Sequence, residues 1–208
     1  MTITEADWDQ YEAVTGSFQS QHRPDTCLPT ALKNVLDELA ERHDSPELEY
    51  GLDELSEICD YRDRMGSSTE EVPERLGAEL ELDGYTVKTL MNCELSELGH
   101  IIQSGESSYP IANLPPGYFD TIDGWDIRAG TDGAHFNHKL VVFKINDRTV
   151  LFHDPFEAMM MRSSRVTEPH RELSKAEFYD LWCEGAHPRW LMWIERRPQT
   201  TLDQVGGN

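Results

Sequence analysis

Two β-rich runs around three turn residues constrain this chain more than any other feature. His138 to Ile145 and Thr149 to His153 flank Asn146-Asp147-Arg148, and turn residues between two such runs specify an antiparallel hairpin. His138 begins the first strand, Asp154 follows the second, and position 146 lies midway between them. Folding the hairpin is therefore expected to bring His138 and Asp154 side by side, within a residue or so of register. A second signal lies far upstream. The run Gln21-His22-Arg23-Pro24-Asp25-Thr26-Cys27 leads into Leu28, Leu32, Val35, Leu36 and Leu39, which recur at helical spacing. Pro29 suits the first turn of that helix, where no intrahelical N–H partner is needed. Cys27 therefore stands where free backbone N–H groups and the positive end of the helix dipole favour a thiolate.

The rest of the chain predicts helices over Asp53 to Arg64, from Val72 through Leu76 to Leu80 after the capping run Ser67-Ser68-Thr69-Glu70-Glu71, over Glu94 to Gln103, and over Ser174 to Trp182. Strands are predicted over Tyr85 to Leu90 after the Asp83-Gly84 turn, Tyr109 to Leu114, and Trp190 to Ile194. Pro115 to Asn137 reads as a long loop rich in glycine, aspartate and aromatics, a candidate binding loop or gate. Helices come first and most strands later, which implies α+β with N-terminal helices on an antiparallel sheet. The length of 208 residues suits one domain over 1–208, with a core of about 19–194 and a frayed tail over 198–208.

Acidic residues number 39 against 18 lysines and arginines, a formal charge of −21 spread along the chain. Such a coat repels itself at low ionic strength. Molar salt screens it, since the Debye length falls to about 3 Å at 1 M. We read the charge as halophilic adaptation to a salt-rich cytoplasm. Stability is expected to rise from low to molar KCl, checked by denaturant unfolding; a flat or falling series would refute this reading. The same charge excludes a nucleic-acid partner, which requires a basic footprint. No apolar stretch approaches the ~20 residues of a membrane span, and Met1 to Trp8 lacks the pattern of a secretory signal. A cytoplasmic protein without membrane association is expected. Cys27, Cys59, Cys93 and Cys183 are scattered and form no CxxC pair, so free thiols are expected.

A cysteine nucleophile requires a base, and the base requires an orienting group. His138 is the candidate base and Asp154 its partner. Gln21, six residues before Cys27, is the candidate oxyanion donor together with the Cys27 backbone N–H. At this point Gln21 with Cys27-Leu28-Pro29-Thr30-Ala31-Leu32 resembles the nucleophile motif of the C39-like, papain-fold cysteine peptidases. His138-Lys139-Leu140-Val141-Val142 resembles their histidine strand, and Val150-Leu151-Phe152-His153-Asp154-Pro155 the strand that ends in Asp-Pro. The segment Leu173 to Phe178 with Trp182 is similar to the helix that often follows. The resemblance brackets roughly residues 19 to 194. It implies a papain-like fold, no cofactor, a peptide or protein substrate, and a Cys27-His138-Asp154 triad with Gln21. The usual Cys-Gly-Pro is Cys27-Leu28-Pro29 here, so Leu28 either narrows the site or faces the core. Trp125 in the long loop and His153 beside Asp154 are candidate substrate contacts.

Other readings compete. Cys59 and Cys183 on apolar helix faces, and Cys93 before a helix, are read as inert. Zinc bound by His135, His138, His153 and Asp154 is disfavoured, because strand alternation separates 135 from 138 and 153 from 154. Met159-Met160-Met161 is read as packing. The rival function is a non-catalytic peptide-binding module of the same fold.

Overall fold

The computed structural model describes residues 3–23, 25–63, 65–81, 84–122, 137–162, 166, 170–184 and 187–198. The elements in chain order are α1 (Glu5–Thr15), α2 (Cys27–His43), α3 (Leu52–Ile58), α4 (Val72–Leu80), β1 (Tyr85–Leu90), α5 (Leu95–Gln103), β2 (Ile111–Leu114), β3 (His138–Ile145), β4 (Thr149–His153), α6 (Glu157–Met161), β5 (Glu172–Ser174), α7 (Lys175–Trp182) and β6 (Leu191–Arg196). Short 3-10 turns cover Pro46–Leu48 and Pro116–Thr121. The six strands form one antiparallel sheet in the order β1-β6-β2-β3-β4-β5, as the α+β reading expects. Among the described residues, no helix is long and apolar enough to cross a membrane.

The sheet is covered on both faces, not on one. Val141, Ile111, Met192 and Ile194 join Leu28, Leu32, Val35, Leu36 and Leu39 of α2, with Leu55 of α3 and Leu76 of α4. Leu140, Val142, Ala112, Phe152 and Leu191 face Leu98 of α5, Met160 of α6, and Phe178 and Trp182 of α7. Burial of alternate residues against opposite layers explains why β3 reads as an unbroken apolar run from Leu140 to Phe143. Met160 packs inward as expected, whereas Met161 is exposed.

Helix α1 lies outside the expected core and is part of the fold. Thr4 and Asp7 form a capping box at its start. Tyr11 is buried, donates its hydroxyl to the Phe152 carbonyl at 3.0 Å, and meets Phe143 edge-on. An ion pair between Lys144 and Asp7 ties the same helix to β3.

Several boundaries differ from expectation. α3 ends at Ile58, where Cys59 caps the helix and Asp60 turns left-handed at φ 46°, so the predicted extension to Arg64 does not form. α6 and β5 occupy a stretch where no element is expected. The hairpin turn is closed by Asn146, whose side-chain Oδ1 accepts from the backbone N–H groups of Arg148 and Thr149, both at 2.8 Å. Its register is shifted at the turn and partly restored by a bulge. Ile145 opposes Val150, but beyond the unpaired Phe143 Val142 opposes Phe152 and Val141 opposes His153. Continued outward, that register sets Leu140, not His138, opposite Asp154. The offset arises at the turn, where Ile145 pairs with Val150, and the bulge, by adding a residue on the β3 side, takes back one residue of it.

Candidate active site

Helix α2 presents Cys27 as its first residue, with Thr26 at the N-cap position. Its inward face is apolar from Leu28 to Ala40, so packing against the sheet aims its N-terminus at the start of β3. Asn34, buried in α2, grips the incoming chain at both backbone groups of Gln19. Its Oδ1 accepts from the Gln19 N–H at 2.7 Å, and its Nδ2 donates to the Gln19 carbonyl at 2.9 Å. Two residues later the Gln21 N–H donates to the Pro155 carbonyl at 2.7 Å. The segment before the cysteine is thereby pinned between α2 and the end of β4.

Asp154 is fully buried. Its Oδ1 stands 2.6 Å from His138 Nε2 and also accepts the Phe156 N–H at 2.7 Å. Its Oδ2 accepts the Tyr118 hydroxyl at 2.6 Å. The Asp154-Pro155-Phe156 turn thus locks the carboxylate, and a diagonal reach spans the shifted hairpin register. With Nε2 engaged by Asp154, His138 offers its other ring nitrogen, Nδ1, to the Cys27 sulfur, its hydrogen-bond partner. Tyr118 stacks on the imidazole at 5.5 Å and 14°, with Phe119 and Phe156 completing the wall. A ring so enclosed keeps one orientation and little water.

The electrostatics agree with this geometry. Burial alone would lower the His138 pKa, but the charge and hydrogen bond of Asp154, joined by those of Cys27, raise it to about 10. Burial would push the Cys27 thiol up. The hydrogen bond and charge of His138, with the charge and backbone N–H of Lys139, outweigh burial and hold it below the usual thiol range. Asp154 is likewise opposed by burial, yet His138, Tyr118 and the Phe156 N–H keep it below the usual carboxylate range. The three groups therefore favour one another's charged forms, a carboxylate on Asp154, an imidazolium on His138 and a thiolate on Cys27.

Gln21 is buried, and its Nε2 donates to the Arg23 carbonyl at 2.7 Å. That bond uses one of two amide hydrogens and leaves the second for a ligand. Its Oε1 has no protein partner. Leu28 is 2% exposed and sits in the core, so the side chain that replaces glycine faces inward and does not narrow a cleft. His153, expected near the rim, is buried as well. It meets Phe18 edge-on at 5.1 Å and stands 4.0 Å from Glu157, and it is not joined to the cysteine. Strand alternation turns it away from the face that His138 occupies. Trp125 and His135 lie outside the described residues, as does positions 123–136 of the proposed gate.

Tyr118 and Lys139 belong to the site without having been singled out. Tyr118 is one of several aromatics in the stretch from Pro115, and no period there singles it out. Lys139 leaves a trace, a charge at the head of an apolar strand. Of the remaining cysteines, Cys59 and Cys93 are buried. Burial raises both thiols, Cys93 to about 12. Cys183 is exposed at the end of α7, so the expectation of an apolar face fails there. No protein-family model matches this chain, and no curated protein matches it. The functional reading rests on the geometry.

Proposed function

We propose that this protein is a cysteine peptidase or related thiol hydrolase of papain-like arrangement, acting on a peptide or isopeptide bond. The observation that carries the reading is the buried relay from Asp154 through His138 to a cysteine at a helix N-terminus. The Cys27 thiolate attacks the carbonyl carbon, and the carbonyl electron pair becomes an oxyanion. That oxyanion is met by the Cys27 backbone N–H and the second amide hydrogen of Gln21. The imidazolium of His138 protonates the departing amine as the C–N bond breaks, leaving a thioester on Cys27. His138, now neutral, takes a proton from water, whose oxygen displaces the thiolate and releases the acid. Asp154 stays ionised and holds the ring. An amine in place of water would make the same sequence an acyl transfer. The acidic coat fits action in a salt-rich cytoplasm.

The test is the rate of iodoacetamide labelling of each cysteine against pH in molar KCl, read by peptide mass in wild type and His138→Ala. Cys27 is expected to react well below pH 8, faster than the exposed Cys183, and to lose that advantage without His138. In Cys27→Ala, turnover should vanish with the fold intact. A Cys27 no more reactive than Cys183 would instead favour a peptide-binding module.

A further inference from the structure

Strand β3 carries a second buried cation that the relay does not use. Lys139 follows His138, is 3% exposed, and by strand alternation faces α2 while the next residue, Leu140, faces the opposite layer. Its Nζ donates to Asn113 Oδ1 on β2 and stands 5.5 Å from the ring centroid of Trp190. Both partners are neutral. Among the described residues no carboxylate pairs with the ammonium, and the acidic groups facing it are the thiols of Cys27 and Cys59. In a chain with 39 acidic residues this is notable, because a buried charge without a counter-charge is costly and carboxylates are abundant. The Lys139 backbone N–H is a further group that lowers the Cys27 thiol.

The surroundings decide which thiol supplies the anion. Cys59, at the end of α3, is held protonated by burial and by the neighbouring Cys27, with Arg75 of α4 only partly offsetting them. Cys27 faces His138 and Lys139 together, with Asp154 behind the imidazole. Burial brings the Lys139 ammonium down to about 8, so it remains charged at neutral pH.

We propose that Lys139 is a positioning residue for the nucleophile, its buried ammonium serving with His138 as a counter-charge of the Cys27 thiolate. The inference rests on the thiol-hydrolase reading and deepens it. A buried cation that interacts with the sulfur stabilises the thiolate twice in each turnover, as attacking group and as leaving group of the thioester. His138 gives up its proton between those steps. Lys139 exchanges none and keeps its charge throughout, until the pH passes about 8 and its contribution fades.

The experiment is the pH profile of Cys27 alkylation in Lys139→Met, which keeps the length and apolar stem and removes the charge. The midpoint of the Cys27 titration is expected to rise by about one unit, a tenfold loss of thiolate at pH values below it. Labelling of Cys183 should stay unchanged. Loss of packing alone would expose Cys59 and Cys93 to reagent without moving that midpoint. An unmoved midpoint in folded Lys139→Met overturns the proposal.

Should that variant fail to fold, the reciprocal coupling is read in Cys27→Ala by carbon NMR of the lysine side chains. Only Lys33, Lys88, Lys139, Lys144 and Lys175 need assignment. Linkage requires that removing the thiolate lower the Lys139 titration by the shift that the lysine imposes on the thiol. An unchanged Lys139 titration overturns the proposal equally. A wild-type Cys27 that is slow and indifferent to His138 removes the hydrolase reading and this inference together. A fast, His138-dependent Cys27 that ignores Lys139→Met removes this inference alone.

Discussion

Asp154→Ala is expected to destabilise the protein by about 3–5 kcal/mol near pH 6, the usual cost of stripping one partner from a buried charged pair. The carboxylate accepts from His138, Tyr118 and the Phe156 N–H, so its removal orphans three donors inside the protein. Denaturant unfolding in molar KCl measures the loss. The pH dependence carries a sign that a packing defect would not share. His138 is raised from 6.5 to about 10 in the folded state, so its share of the stability is fully present below 6.5 and lost as pH rises through about 10. Asp154 is held below its usual 3.8, so its share is present above that value and lost as pH falls further. The advantage of wild type over Asp154→Ala should therefore be largest between about pH 4 and 6.5 and shrink on either side. A difference flat across pH would mean that the two side chains do not form a charged pair. The same variant should lower the His138 titration from about 10, since burial is then opposed by Cys27 alone.

Gln21→Ala is expected to lower kcat by about 10²–10³-fold with the stability of the fold little changed, the effect of removing one donor from an oxyanion site. An interaction formed only in the transition state lowers kcat and kcat/KM together and leaves KM alone. Steady-state kinetics on any peptide substrate that wild type turns over reads this split. The backbone ties make the comparison clean. Gln21 is held through its N–H to Pro155, a bond that alanine keeps, while only the bond from Nε2 to Arg23 is lost. An unchanged kcat would assign the side chain to the turn at Arg23 and leave the oxyanion to backbone donors.

Much of the architecture follows from local pattern. The apolar stripe from Leu28 to Leu39 defines α2, and the side-chain acceptor of Asn146 makes the hairpin turn, because helical period and turn chemistry are properties of a few adjacent residues. β1, β3, β4, α5 and α7 lie within a residue of their expected bounds for the same reason. Helix α1 is less visible. Thr4 and Asp7 carry a capping signature, but only Tyr11 of its eleven residues is buried, so hydrophobic period has little to report.

The sequence alone determined that Cys27 begins a helix and that His138 and Asp154 belong to one hairpin, since each follows from spacing along the chain. Tertiary structure decided the rest. The hairpin pairs Ile145 with Val150 and so is not symmetric about position 146. Even after the bulge at Phe143 takes back one residue, Leu140 and not His138 stands opposite Asp154, and the locked Asp154 turn, not strand register, restores the contact. Tyr118 reaches Asp154 from 36 residues away, and α2 and β3 close on Cys27 from opposite ends of the molecule's order in sequence. Whether Leu28 and His153 face a substrate or the core was likewise a matter of which layer covers them. Burial, and with it every shift in charge at this site, depends on those long-range contacts: a local pattern sets which way a side chain points, and only the assembled layers set what it meets.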